Sequence, residues 1–293
     1  MKIIGFGLGL VLLSSLPLAA QVTVEVRPEQ EQYLAGEKLD VAVRITNLSG
    51  QTLHLGADNK WLQLGVESRD SYIVQQLGEV PVAGEFDLPS SKVAIKHLNL
   101  QPYFNLTRPA NYTISATVHI AQWGQDFGSA PASFNIINGA KIWEREFGVP
   151  TADGSPEVRK YALLQANYLR ELMLYVRVTD SDGVKIFGVQ AIGPLVSFSE
   201  PEAQLDEMNN LHVLWQISAR GSAYRVISPD CKVLVRQAYQ NTDTRVQLQK
   251  LADGRIVVAG GQRYSASDDL DLRTPPPPLP PPQTNAPAAP LKP

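Results

Sequence analysis

Residues 39–45 read Leu39-Asp40-Val41-Ala42-Val43-Arg44-Ile45, with a large apolar side chain at every second position. Successive side chains of a β-strand point to opposite faces, so this spacing predicts a strand with one buried and one solvated face. The same alternation occurs at Val22, Val24 and Val26, and a turn-like segment, 33–37, separates the two stretches. The chain therefore opens with half-buried strands.

Further apolar segments of strand length follow, separated by turn residues at intervals typical of a β-sandwich. They are Trp61 to Val66, Tyr72 to Leu77, Lys92 to Leu98, Tyr112 to Ile120 and Ala132 to Ile136. With the first two they make about seven strands, the number typical of two packed antiparallel sheets. We therefore predict an all-β fold that begins with a sandwich over residues 21–137.

Three motifs in this region resemble a known family. They are Tyr33-x-x-Gly36-Glu37, Val41-x-Val43-x-Ile45-x-Asn47 and Pro109-Ala110-Asn111-Tyr112-x-Ile114-x-Ala116-x-Val118. In this order they are similar to the bacterial immunoglobulin-like domains of secreted and cell-envelope proteins. The resemblance implies that Tyr112 forms a corner joining the two sheets, and that the domain has an adhesive or spacer role. Asn111 replaces the Gly that often precedes this tyrosine, and Asn tolerates the left-handed conformation better than most residues.

The second half of the chain contains an internal repeat. Residues 174–187 align with residues 223–235, with Tyr175 and Tyr224 separated by 49 positions and Asp182 and Asp230 by 48. Repeats of 40 to 50 residues built from short strands are typical of propeller blades. We predict a linker at 138–159, followed by an antiparallel β domain of about two repeats at 160–267.

The second copy also resembles a family. The segment Leu211-His212-Val213-Leu214-Trp215-Gln216, with Ser228-Pro229-Asp230 after it, is similar to blades of sialidase-like propellers. Two repeats are too few to close a ring, for which about four blades are usual. We therefore expect an open, blade-like unit rather than a ring completed by a second chain.

One alternative remains open for residues 156–173. Ser155-Pro156-Glu157 has the composition of a helix cap, and apolar residues follow it at helical spacing. The repeat instead favours strands, with Tyr161 to Ala166 as one of them.

The two ends of the chain differ from its middle. Residues 1–20 combine Lys2, an apolar run and a small-residue exit, the pattern of a secretory signal cleaved after Ala20. Residues 268–293 are rich in proline and predict a disordered tail. We expect a secreted or periplasmic protein with no transmembrane span in its mature form.

The composition limits the classes of partner. A net charge of −3 gives no electrostatic case for nucleic acid, which normally needs a clustered surplus of Lys and Arg. Only one cysteine, Cys231, is present, so no intramolecular disulfide can form. The partner we expect is a protein or a glycan at the cell envelope.

No pattern in the sequence predicts a catalytic, cofactor-binding or metal-binding site. The four histidines show no metal-ligand spacing, Asp180-Ser181-Asp182-Gly183 is interpreted as a hairpin turn rather than a calcium loop, and no Gly-x-Ser-x-Gly elbow occurs. Trp123 and Trp143 are the candidate ligand-contact aromatics. The sequence thus favours an exported, non-enzymatic binding, adhesion or scaffolding module. The alternative is a hydrolase, or a hydrolase-associated module, acting on envelope glycans or peptides.

Overall fold

A computed structural model describes residues 22–70, 72–150 and 156–264. The chain divides into two compact units, Met1–Asn138 and Gly139–Pro293. The predicted signal at 1–20 and the tail at 268–293 lie outside the described residues. The all-β prediction is confirmed, since the only helical segment among the described residues is one turn of 3₁₀ helix at Gln101–Tyr103. None of the described helical structure is long and apolar enough to cross a bilayer.

Two larger sheets and a small two-stranded sheet form the first unit. One sheet has the order β1-β3-β7, with β1 at Val22–Pro28, β3 at Asp40–Asn47 and β7 at Lys92–Asn99. The other has the order β2-β10-β8-β5, with β2 at Gln32–Leu34, β5 at Leu62–Ser68, β8 at Ala110–Ile120, β10 at Ala132–Ile137, and β9 (Gln125–Gly128) also paired with β8. The small pair is β4 (Leu53–Leu55) with β6 (Phe86–Leu88).

The alternating side chains of the first unit meet in a single core. Val41, Val43 and Ile45 of β3 are buried in the same cluster as Ile114 and Val118 of β8. Because these residues belong to different sheets, the cluster is the core between the two sheets of a β-sandwich. The Tyr112 hydroxyl donates a hydrogen bond to the Arg108 carbonyl at 2.7 Å, the contact that defines a tyrosine corner.

Two details of the first unit differ from the expectations. The prediction of a strand at Tyr72 to Leu77 is wrong, because the described part of this segment forms only an isolated bridge from Gln76 to Phe104. Asn111 lies within β8 and is not among the residues with positive φ, so the left-handed conformation is not used there.

The second unit contains two antiparallel sheets and a hairpin. The first sheet is β11-β12-β13-β14, with strands at Ala140–Pro150, Pro156–Tyr168, Glu171–Asp180 and Ile186–Pro194. The second is β15-β16-β17-β18-β21, with strands at Glu202–Leu205, Leu211–Gln216, Gly221–Ile227, Val233–Gln240 and Gln262–Arg263. The hairpin pairs β19 (Gln247–Lys250) with β20 (Ile256–Ala259).

The linker predicted at 138–159 is wrong. Residues 140–150 form β11, which pairs along β12 from Ala140↔Gln165 to Pro150↔Pro156. Gly148 and Pro150 favour a loop, but β11 is an edge strand, where proline and glycine are tolerated. The helical alternative for 156–173 is also wrong, since β12 and β13 pair through most of that range.

The internal repeat corresponds to two equivalent meanders. Tyr175 and Tyr224 lie on the third strand of each, β13 and β17, and both point away from the core that the two sheets share. Asp182 and Asp230 both lie in the hairpin turns that follow. The two meanders pack face to face through residues such as Val176 and Trp215, and the described residues form no closed propeller ring.

Candidate functional site

The strand β5 lies at the edge of its sheet and pairs on one side only, with β8. The His119 amide bonds the Trp61 carbonyl at 2.8 Å, and the Arg69 amide bonds the Asn111 carbonyl at 2.9 Å. Since hydrogen-bonded pairs alternate along an antiparallel ladder, Gln63, Gly65 and Glu67 bond to β8. The amides and carbonyls of Leu62, Leu64 and Val66 therefore face the open edge.

An open groove of about 360 Å³ lies beside this edge. Its lining comes from two segments, residues 58–64, which include the start of β5, and residues 76–80. This volume falls in the range of about 300 to 1,000 Å³ that is usual for ligand sites. A second cavity, in the second unit, has room for about 30 Å³, which is enough for little more than a water molecule.

The wall of the groove opposite β5 is held from its far side. The Leu77 amide bonds the Tyr103 carbonyl at 2.8 Å, and the Asn105 amide bonds the Gln75 carbonyl at 2.9 Å. These bonds attach the wall to residues 103–105 and not to β5. The groove is thus an opening between two separately anchored stretches of backbone.

One end of the groove is fixed by a side-chain clamp. The Asn59 side-chain oxygen accepts hydrogen bonds from the amides of Val82 and Ala83 at 3.2 and 2.9 Å. The Trp61 indole donates to the Val82 carbonyl at 2.9 Å, and the Lys96 ammonium lies against the same carbonyl. Desolvation lowers the pKa of Lys96. These contacts fix the chain on either side of the groove at this end.

The chain from Tyr72 to Leu77, which leads into the wall, exposes two apolar side chains. Ile73 is 95% exposed and Leu77 is 58% exposed, while Tyr72 and Val74 pack against the core. Neither exposed side chain lines the groove, and single exposed apolar residues are normal on protein surfaces. The acidic Asp58 and Glu79 and the basic Lys60 complete the lining.

The two tryptophans predicted as ligand contacts lie elsewhere. Trp123 occupies the turn between β8 and β9, is partly buried, and packs edge-on against Phe127 with ring centroids 5.9 Å apart. Trp143 lies in β11 and is partly buried against the core of the second unit. Each belongs to the packing of its own unit, and neither lines the groove at β5.

A buried polar array in the second unit is the nearest approach to catalytic geometry. His212 Nδ1 lies 2.7 Å from the Tyr224 hydroxyl, and His212 Nε2 lies 3.1 Å from Asp206 Oδ2. Burial raises the pKa of Tyr224 to about 12, so the phenol keeps its proton at neutral pH. A buried, protonated tyrosine is a poor nucleophile. The array ties β16 and β17 to the turn that begins at Asp206.

The remaining chemical candidates have structural roles. The Asp180 side chain accepts a hydrogen bond from the Val184 amide at 2.8 Å, closing a hairpin turn as expected. Cys231 is buried, and desolvation raises the pKa of its thiol to about 12. Within the described ranges, no group of three or more His, Cys, Asp or Glu side chains is placed to hold a metal ion.

No family model matches the chain, and no curated protein matches it. One solved structure, the crystal structure of the sporulation control protein Spo0M from Bacillus subtilis, is similar at 11% identity and a TM-score of 0.31. The similarity covers 86% of this chain and 93% of that one. The immunoglobulin-like and sialidase-like resemblances stay predictions.

Proposed function

We propose that the protein is an exported, non-enzymatic binding module whose first unit takes up an extended polypeptide segment by adding it as a strand to β5. The carrying observation is the open edge of β5 beside a pre-formed groove. The export half of the proposal rests on the signal pattern of residues 1–20, and a cell-envelope polypeptide is the expected partner.

Strand addition accounts for the features of the groove together. Leu62, Leu64 and Val66 offer backbone donors and acceptors in the direction an added strand needs. The anchored wall at residues 76–80 leaves room for side chains on the inner face of that strand. Leu62, Leu64 and Val80 in the groove lining give apolar contacts that main-chain pairing alone does not supply. A glycan would use the stacking surfaces of exposed aromatics, which the groove lining does not contain.

The test is selection of a phage-displayed library of random decapeptides on the immobilised full chain, followed by affinity measurement with the enriched peptides. The variant Leu64→Pro removes one edge amide. Because that amide faces away from β8, proline is tolerated there as it is on other edge strands. We expect at least a ten-fold loss of affinity with little change in the unfolding midpoint.

A second variant tests the wall without touching the backbone. Gln76→Trp places a bulky side chain in the groove lining and should weaken binding several-fold. Leu48→Trp is the matched control, because Leu48 is exposed at a hairpin tip of the same unit and lies outside the groove lining. Failure to enrich any peptide, or equal binding by Leu64→Pro, would overturn the proposal. Turnover of the peptides, or binding only to a glycan panel, would overturn it in favour of the hydrolase or glycan alternative.

A further inference from the structure

We infer that the side chains on the outer face of β5 select which strand is added to its open edge. The selected strand has a basic residue, an aromatic residue and a polar residue in this order, with one residue of any type between each two of them. This inference rests on the proposed function and specifies the chemistry of the ligand. It follows from the residues that an added strand would have beside it, which are Gln63, Gly65 and Glu67.

Gly65 provides the place for the aromatic residue. It is exposed on the outer face of β5 and pairs with Ser115 of β8. A β-carbon on Gly65 would come within 3.3 Å of the Ser115 hydroxyl oxygen, so the glycine and the serine lie close together. Two small residues side by side leave a flat backbone surface in the middle of the edge. A ring on an opposite strand can cover such a surface, as aromatics do when they pair across from edge glycines.

Glu67 provides the place for the basic residue. It is exposed on the same face and two positions from Gly65. Its direct neighbour across the ladder is Thr113, which carries no charge. Opposite charges on facing residues of adjacent strands stabilise the pair, and like charges destabilise it. Gln63, which faces Thr117 on the same side, completes the row with a polar side chain.

The order of the motif follows from the strand direction. An antiparallel strand can exchange two hydrogen bonds with the same edge residue, as β8 does on the other side of β5. Such a strand runs from Glu67 toward Gln63, so its basic residue precedes its aromatic residue. Of the two intervening side chains, one faces the buried Val66, and the other faces Leu64 and enters the groove, whose apolar lining includes Leu62 and Val80. Apolar side chains of moderate size fit those two positions.

The probes are four decapeptides that share their flanking residues. The first has the core Lys-Val-Phe-Val-Thr; the others replace Lys by Glu, replace Phe by Ala, or reverse the order of the core. We expect the first to bind best, with roughly two- to five-fold weaker binding for each of the others. Equal affinity for all four would overturn the inference.

Variants of the protein test the two positions separately. Glu67→Lys should invert the preference between the Lys and Glu peptides, whereas the control Glu25→Lys, on the outer face of the other sheet, should leave it unchanged. Gly65→Thr should abolish the advantage of Phe over Ala, because a side chain would then occupy the flat surface. An unaltered Lys-to-Glu ratio in Glu67→Lys overturns the inference.

The inference and the proposed function fail in different ways. If all four peptides bind alike and Leu64→Pro abolishes that binding, strand addition stands and the selectivity inferred here is wrong. If no decapeptide binds, and the library also yields none, the proposed function itself is wrong.

Discussion

Gly188 of β14 faces Cys231 in the turn between β17 and β18, so closely that a β-carbon on residue 188 would lie 2.7 Å from the Cys231 β-carbon and 3.2 Å from its sulfur. The contact joins the two sheets of the second unit, since β14 belongs to one and the turn to the other. Only a glycine in β14 leaves room for the cysteine.

Gly188→Ala should destabilise the second unit by about 1 to 3 kcal/mol, the usual cost of overpacking a filled core. The control is Gly128→Ala, because nothing lies within 4 Å of a β-carbon built at Gly128 and we expect a change of about 0.5 kcal/mol or less there. Urea unfolding measures both. The double variant Gly188→Ala/Cys231→Gly should recover part of the loss, and the absence of any recovery would contradict the contact.

Cys231 combines burial with a strained backbone. Cys231 lies at the turn position that Gly183 has in the first meander, and the two residues have φ of 60° and 74°. Unlike the glycine, Cys231 has a side chain, which packs in the core. Cys231→Ala loses the sulfur and keeps the strain, whereas Cys231→Gly loses slightly more side chain and relieves it. We therefore expect the Gly variant to be at least as stable as the Ala variant, by about 0 to 1 kcal/mol. A clearly less stable Gly variant in urea unfolding would refute this order.

Arg159 ties β12 to the turn at Asp230. Its guanidinium bonds Glu157 at 2.7 Å and Asp230 at 2.9 Å and lies 4.0 Å from the centre of the Phe187 ring, with 12% of the side chain exposed. Arg159→Met should cost about 1 to 3 kcal/mol, because it removes charged hydrogen bonds in a mostly covered site. Arg255→Met, in an exposed pair with Asp253, should change stability by about 0.5 kcal/mol or less. If the two variants lose the same stability in thermal unfolding, burial does not explain the strength of the Arg159 ion pairs.

Because of Asp206, the stability of the second unit should decrease as the pH falls into the acidic range. Burial raises the pKa of this carboxyl, but hydrogen bonds from Asn210 and His212 outweigh burial, and the net shift is downward. A depressed pKa in the folded state gives stability that is complete above the unfolded pKa of about 4 and is lost as the pH falls through the folded value. Urea midpoints between pH 7 and pH 2 should fall less steeply for Asp206→Asn than for the unaltered chain. Identical slopes would contradict the depressed pKa.

The sequence predicted those parts of the fold that depend on neighbouring residues. The alternation at Val41, Val43 and Ile45 places one face of β3 in the core wherever that strand lies in the sheet. It failed at Ile73, whose apolar side chain is exposed in a segment that forms no regular strand. The linker prediction failed because Gly148 and Pro150 favour a loop in general but are tolerated in an edge strand such as β11.

The groove at β5 could not be found in this way. Whether β5 has one neighbour or two depends on where segments distant in sequence are placed, and Leu62, Leu64 and Val66 have the same pattern in either case. Gly65 was the one local signal, since glycine within a strand often marks a close approach of another backbone. The candidate residues Trp123 and Trp143 were chosen by side-chain chemistry alone, and both are packed against cores.

The two units should also differ in how soon they can fold. Every strand pair of the first meander joins sequence neighbours, as in the pairing of Tyr168 with Glu171 across the β12–β13 turn. In the first unit, β2 instead pairs in parallel with β10, matching Gln32 to Asn135. Contacts so distant along the chain slow folding, because a long loop must close before they form. During synthesis the sandwich has to wait for its last strand, whereas each meander can assemble as soon as its own strands emerge.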